Sequence, residues 1–96
     1  MKKILIIGCG LLGSSLLRRI AKKKIAKKIF VYEKSKTNIA KIKKLKLPGT
    51  IVKSLKDGVV NSDLIIFCTP MSEYKELILK INNFISSTTL ITDIGS

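Results

Sequence analysis

Ile4-Leu5-Ile6-Ile7-Gly8-Cys9-Gly10-Leu11-Leu12-Gly13 is the stretch that decides how the rest of the chain is read. A continuous apolar run rich in Ile and bounded by glycine suits a strand buried on both faces, placed at Lys3 to Ile7. The glycines that follow have the spacing G-x-G-x-x-G. Beyond them Leu12, Leu16, Leu17, Ile20 and Ala21 recur at helical spacing, predicting a helix from Leu11 to about Lys23. A strand, a glycine-rich turn and a helix in that order make a receptor for a phosphate anion. Gly8 permits the tight turn, Gly10 leaves no side chain between backbone and anion, and Gly13 lets the helix pack closely on the strand. The N–H groups at the helix start and the helix dipole favour negative charge there. The spacing alone is a weak signal, and its place between strand and helix makes it informative. The plainer alternative is a turn whose glycines serve packing only.

Working outward, the chain alternates strands and helices. Ile29-Phe30-Val31-Tyr32 is a second strand ending at Glu33. Ser35 caps a helix to about Lys46 with Ile39, Ile42 and Leu45 inward, and Pro48-Gly49 terminates it. Thr50-Ile51-Val52 is a weak third strand, Ser54 to Val60 a short helical turn, and Asn61-Ser62 a break. Leu64 to Cys68 is a fourth, buried strand followed by Thr69-Pro70. Ser72 caps a helix with Tyr74, Leu77, Ile78, Ile81 and Ile85 on one face, and Thr88 to Thr92 is a fifth strand. This alternation implies parallel strands joined by right-handed crossovers. The expectation is an α/β, Rossmann-type doubly wound parallel sheet in the order 3-2-1-4-5, truncated after the fifth strand. Residues 1–96 then form one dinucleotide-binding domain, the N-terminal piece of a longer protein. Ligands of such sheets bind beyond the carboxyl ends of the strands, at the switch between strands one and four. Gly8 to Gly13, Cys68 to Pro70 and Ser96 all fall there.

Glu33 sharpens the anion site into a dinucleotide site. It stands at the end of the second strand, where an acidic residue hydrogen-bonds the hydroxyls of an adenosine ribose. A carboxylate there repels the extra phosphate of NADP, whereas Lys34, Ser35 and Lys36 offer partners for it. NAD is the expected cofactor, with NADP the alternative. The plainer alternative for Glu33 is an exposed carboxylate paired with a nearby lysine.

Composition narrows the remaining classes. Hydrophobic residues make up 46% of the chain, which excludes intrinsic disorder despite a net charge of +13. The bases are nearly all Lys, dispersed, and interleaved with apolar residues at helical spacing, as in Ile39 to Leu45. Aromatic residues amount to 5%, few for stacking on bases. A solvated lysine-rich surface is therefore favoured over an anion-attracting one, and nucleic-acid binding is placed last. Met1-Lys2-Lys3 and the apolar run before Cys9 imitate an export signal, but that run is too short to serve as one. No segment approaches a membrane span. A cytoplasmic location is expected, with Cys9 and Cys68 as two separate reduced thiols rather than a redox pair. No metal site is expected.

The chain resembles the N-terminal domain of the prephenate and arogenate dehydrogenases of tyrosine biosynthesis. The resemblance is carried by Ile6-Ile7-Gly8-Cys9-Gly10-Leu11-Leu12-Gly13-Ser14-Ser15-Leu16, by Asp63-Leu64-Ile65-Ile66-Phe67-Cys68-Thr69-Pro70, and by Leu90-Ile91-Thr92-Asp93-Ile94-Gly95-Ser96. The first motif is shared by many dehydrogenases and the last is the most discriminating. The resemblance implies oxidative decarboxylation: hydride passes from a cyclohexadienol ring to NAD, carbon dioxide leaves, and prephenate becomes 4-hydroxyphenylpyruvate. It implies a cofactor site of Gly8, Gly10, Leu11, Leu12, Gly13, Glu33, Lys34, Cys68, Thr69 and Pro70, with Thr69 and Pro70 beside the nicotinamide ribose. Ser96 matches a serine that helps orient a catalytic histidine, against the alternative of an ordinary loop serine, and Asp93 is read as structural.

The chain departs from that pattern in containing no histidine. The residue type suited to proton chemistry near neutral pH is missing. The resemblance puts the histidine, the substrate-binding arginines and a helical dimer-forming domain beyond residue 96, so this stretch alone is expected to turn nothing over. The competing readings are another Rossmann dehydrogenase, of the β-hydroxyacid or pyrroline-carboxylate reductase type, and a regulatory domain that binds NAD without chemistry.

Overall fold

The computed structural model describes residues 3–8, 10–69 and 71–93. Its strands are β1 (Lys3–Ile7), β2 (Lys28–Tyr32), β3 (Thr50–Ile51), β4 (Leu64–Phe67) and β5 (Leu90–Asp93). Its helices are α1 (Leu11–Lys22), α2 (Lys36–Lys44), α3 (Leu55–Val60) and α4 (Met71–Ile81). The five strands form one sheet in the order β3-β2-β1-β4-β5, parallel at every pairing. This is the Rossmann-type order expected from the alternation.

Burial on both faces explains the Ile-rich strands. Alternate residues of β1 point to opposite sides, so Ile4 and Ile6 join one core, and Leu5 and Ile7 the other. The first core is closed by Leu17 and Ile20 of α1 and Ile42 of α2. The second is closed by Val59 of α3 and Ile81 of α4. Register places Ile7 level with Tyr32 on one side and Phe67 on the other, so β1, β2 and β4 end together. That shared rim is where the glycine turn lies. No helix among the described residues is long and apolar enough to cross a membrane.

Helix boundaries differ from expectation in two places. Ser35 caps α2 as expected, accepting from the Asn38 N–H, and Ser54 caps α3 in the same way, accepting from the Asp57 N–H. Ser72 does not stand at a cap position, because α4 already includes Met71. Pro48-Gly49 does not end α2. The helix stops at Lys44, and Lys46 turns into the left-handed region at φ 52°. The N–H of Lys46 donates to the Lys43 carbonyl and that of Leu47 to the Ile42 carbonyl, a Schellman closure. The reversal swings Leu47 onto the core and leaves Leu45, expected inward, 58% exposed. Lys24, also at φ 52°, ends α1 in the same way, with Ile25 donating to Ile20.

A lysine in the left-handed region carries a Cβ penalty that glycine avoids. Lys46→Gly is expected to stabilise the fold by about 0.5–1 kcal/mol, read as a rise of a few degrees in Tm. Lys46→Val should lower Tm, because a β-branched side chain tolerates that conformation least.

Candidate functional site

The glycine turn is built from three glycines with different physical duties. Gly8 follows β1 at φ 87°, and its N–H donates to the Tyr32 carbonyl at 2.8 Å. A Cβ on Gly8 would lie 2.7 Å from Thr69 Cγ2 and 3.3 Å from the carbonyl carbon of Cys68. A Cβ on Gly13 would overlap the carbonyl oxygen of Gly8, so α1 rests directly on the turn. Both positions are closed to larger residues by the protein's own packing. Gly10 is different: nothing lies within 4 Å of where its Cβ would stand. It is exposed and serves as N-cap of α1, with no side chain to satisfy the helix start. The fold does not require a glycine there, whereas an anion approaching the helix start does.

Beside the turn lies a cleft of about 270 Å³ between the β2–α2 connection and α4. Tyr32 and Leu77 give it apolar wall, and Gly8 and Thr69 lie along it. Glu33 lines it with its carboxylate held in place, Oε2 accepting the Ser35 N–H at 3.0 Å. Lys34 Nζ meets Glu73 Oε1 at 2.8 Å, an ion pair joining the two sides. The hydrogen bond to Glu73, reinforced by its negative charge, holds the Lys34 ammonium above the usual lysine range. Tyr74, edge-on to Phe67 with ring centroids 4.8 Å apart, fixes the first turn of α4 and so the position of Glu73.

One observation points outward from the protein. The Thr69 hydroxyl oxygen is buried and has no hydrogen-bond partner among the described residues. A buried hydroxyl without a partner costs about 1–3 kcal/mol. Such an atom at the edge of a cleft fits a ligand that brings the missing partner.

Charge is divided around the turn. The charged groups lining the cleft are Glu33, Glu73 and Lys34, summing to −1 in a chain of net +13. A second groove of about 310 Å³ adjoins Gly10 and meets the first at Asn38. Its charged lining is Arg18 and Lys41, summing to +2. An elongated ligand with a central anion and a neutral, hydroxyl-bearing end matches this division.

The structure therefore brings Gly8, Glu33, Lys34 and Thr69 together along one cleft, with Gly10 on the adjoining groove and Gly13 packed beneath. Cys68 does not line either; its N–H donates to the Ile7 carbonyl and its backbone abuts Gly8. For Leu11 and Leu12 only the backbone is described, as the first turn of α1. Pro70, Ser96 and Cys9 lie outside the described residues. Glu73 and Asn38 are additions that sequence reasoning missed. The one signal for Glu73 is its spacing to Leu77, one helical turn, which puts both on the same face of α4; Asn38 of α2 has none.

Residues 3–95 match the family model described as NADP oxidoreductase, coenzyme F420-dependent. Among solved structures the chain is similar to prephenate dehydrogenase from A. aeolicus in complex with hydroxyphenyl propionate and NAD+. Identity is 24% and TM-score 0.86, over 100% of this chain and 34% of that one. It is similar to Plasmodium falciparum pyrroline carboxylate reductase with NADP bound, at 24% identity and TM-score 0.79, over 97% and 33% of the two chains. For Synechocystis arogenate dehydrogenase the values are 22% and 0.80, over 96% and 32%. The chain thus spans about a third of the length of these relatives.

Thr69→Val keeps the methyl group packed toward Gly8 and removes only the hydroxyl. Tm is expected to hold or rise, since an unsatisfied polar atom is lost, while affinity for a dinucleotide falls several-fold. Thermal melts and dinucleotide titrations of the two proteins check the pair of outcomes.

Proposed function

Since the chain belongs to the family of coenzyme F420-dependent NADP oxidoreductases and supplies an NAD(P)-binding Rossmann domain, we propose that it is the cofactor-binding part of a prephenate or arogenate dehydrogenase. The reaction is oxidative decarboxylation of the cyclohexadienol ring, giving 4-hydroxyphenylpyruvate from prephenate. The cofactor, when bound, accepts the hydride. A helical domain beyond residue 96 supplies the substrate-binding arginines, the histidine and the contacts of a cytoplasmic homodimer. Ser96 orients that histidine.

The division of labour among this chain's residues follows from their places. The N–H groups at the start of α1, opened by Gly10, receive the pyrophosphate, with Arg18 and Lys41 adding positive charge nearby. Glu33 accepts from the adenosine ribose hydroxyls, and the apolar walls of Tyr32 and Leu77 flank the base. Thr69 meets the nicotinamide ribose with its buried hydroxyl. The carboxylate of Glu33 favours NAD over NADP. The observation that carries the substrate class is the run Ile91-Thr92-Asp93-Ile94-Gly95-Ser96, whose Asp93 stands level with Phe67 at the rim of the sheet. A second reading, a reductase of the pyrroline-carboxylate or β-hydroxyacid type, is favoured by the family's description as an NADP oxidoreductase.

The full-length protein, given prephenate or arogenate with NAD+ or NADP+, is expected to reduce the nucleotide and release carbon dioxide; residues 1–96 alone are expected to reduce none. Reduction only with a hydroxyacid or with proline would move the assignment to the second reading. Nucleotide binding with no reduction by any of these substrates would mark a regulatory domain. Glu33→Ala should weaken NAD about tenfold to a hundredfold, the loss of charge-assisted hydrogen bonds, and NADP little. Equal losses for both dinucleotides would remove Glu33 from the ribose.

A further inference from the structure

We propose that Glu73 sets the dinucleotide preference of the cleft by holding Lys34, so that the lysine is withheld from the 2′-phosphate that distinguishes NADP from NAD. The inference rests on the reading of the cleft as a dinucleotide site and adds to it a positioning residue on an element outside the glycine motif.

Lys34 directly follows Glu33 at the end of β2, beside the position assigned to the ribose. Among the described residues that line the cleft it carries the only positive charge. Its side chain is 72% exposed, so little packing fixes it, and the ion pair at 2.8 Å with Glu73 is what orients it. Glu73 is the firmer partner, 34% exposed and carried on a helix turn anchored by Tyr74 against Phe67. A solvent-exposed pair of this kind contributes little to folding. Its consequence is local. A 2′-phosphate entering the cleft gains Lys34 only by taking it from Glu73. A ribose hydroxyl needs no such exchange. Preference thus comes from a lysine already engaged as much as from the carboxylate at the end of β2.

The test is titration of NAD and NADP against four forms of the full-length protein: wild type, Glu73→Gln, Lys34→Met, and the double variant. Both side chains lie at the surface, and circular dichroism verifies that the fold is retained. Glu73→Gln is expected to tighten NADP about threefold to fivefold, the most that releasing the lysine from an exposed ion pair returns, and to leave NAD within about twofold. In the Lys34→Met background the same substitution is expected to change NADP by about twofold or less, because no lysine is left to release. Equal tightening in both backgrounds would show Glu73 acting by its own charge and overturn the proposal. So would unchanged NADP affinity in Glu73→Gln while wild type binds NAD in a Glu33-dependent way, an outcome that spares the dinucleotide reading. Binding of neither dinucleotide by any form would defeat that reading and the proposal with it.

Discussion

The contact on which this domain depends is one between backbones: the Gly13 position of α1 against the carbonyl of Gly8, with no side chain between them. A helix can approach a strand end this closely only where its own residue at the contact lacks a Cβ, while Gly8 is required by its positive φ and by Thr69 and Cys68 on its other side. Around that contact the end of β1 is tied on both sides, the Gly8 N–H to Tyr32 and the Ile7 carbonyl to the Cys68 N–H. The start of α1 is thereby aimed at the rim where β1, β2 and β4 end. The cleft and the groove beside it exist because that helix start cannot drift outward. Steric exclusion, rather than any functional side chain, gives the site its shape.

The sheet was legible because parallel strands buried on both faces must be apolar at nearly every position, and β1, β2 and β4 are. Their order followed from the alternation with helices. The ends of the helices were not legible. Nothing in Lys24 or Lys46 announces a left-handed conformation, because lysine has no preference for it; the closures form through backbone hydrogen bonds that carry no side-chain signature. The inward face of α2 was therefore extended one turn too far, to Leu45 instead of Leu47. The site divides along the same line. Gly8 and Glu33 were readable because their chemistry is tied to the strand ends. Glu73 and Asn38 were not, because a polar residue on a helix looks the same facing water or facing a cleft. The pairing of Glu73 with Lys34 joins segments far apart in the chain, and topology alone brings them together.

Electrostatics works on two scales here. The chain's excess of lysine creates a diffuse positive field that attracts anions of any kind. Within the cleft the balance reverses, the carboxylates of Glu33 and Glu73 outnumbering the single ammonium of Lys34. The long-range field and the local charge of the cleft thus have opposite signs. Net charge over the whole chain therefore does not describe the charge that faces a ligand in the cleft.

The sheet's two margins are unequal. β3, at one margin, is only two residues long, whereas β5, at the other, is four, with Leu90 57% exposed and no strand pairing with its outer side among the described residues. A row of main-chain donors and acceptors beside an apolar side chain is adhesive toward any extended segment, a second copy of itself included. A lysine-rich exterior opposes unspecific edge-to-edge adhesion of this kind. Abundant cation thereby acts as a colloidal stabiliser for the margin that residues 3–93 leave unpaired, and its protection fades as dissolved salt shortens the reach of the repulsion.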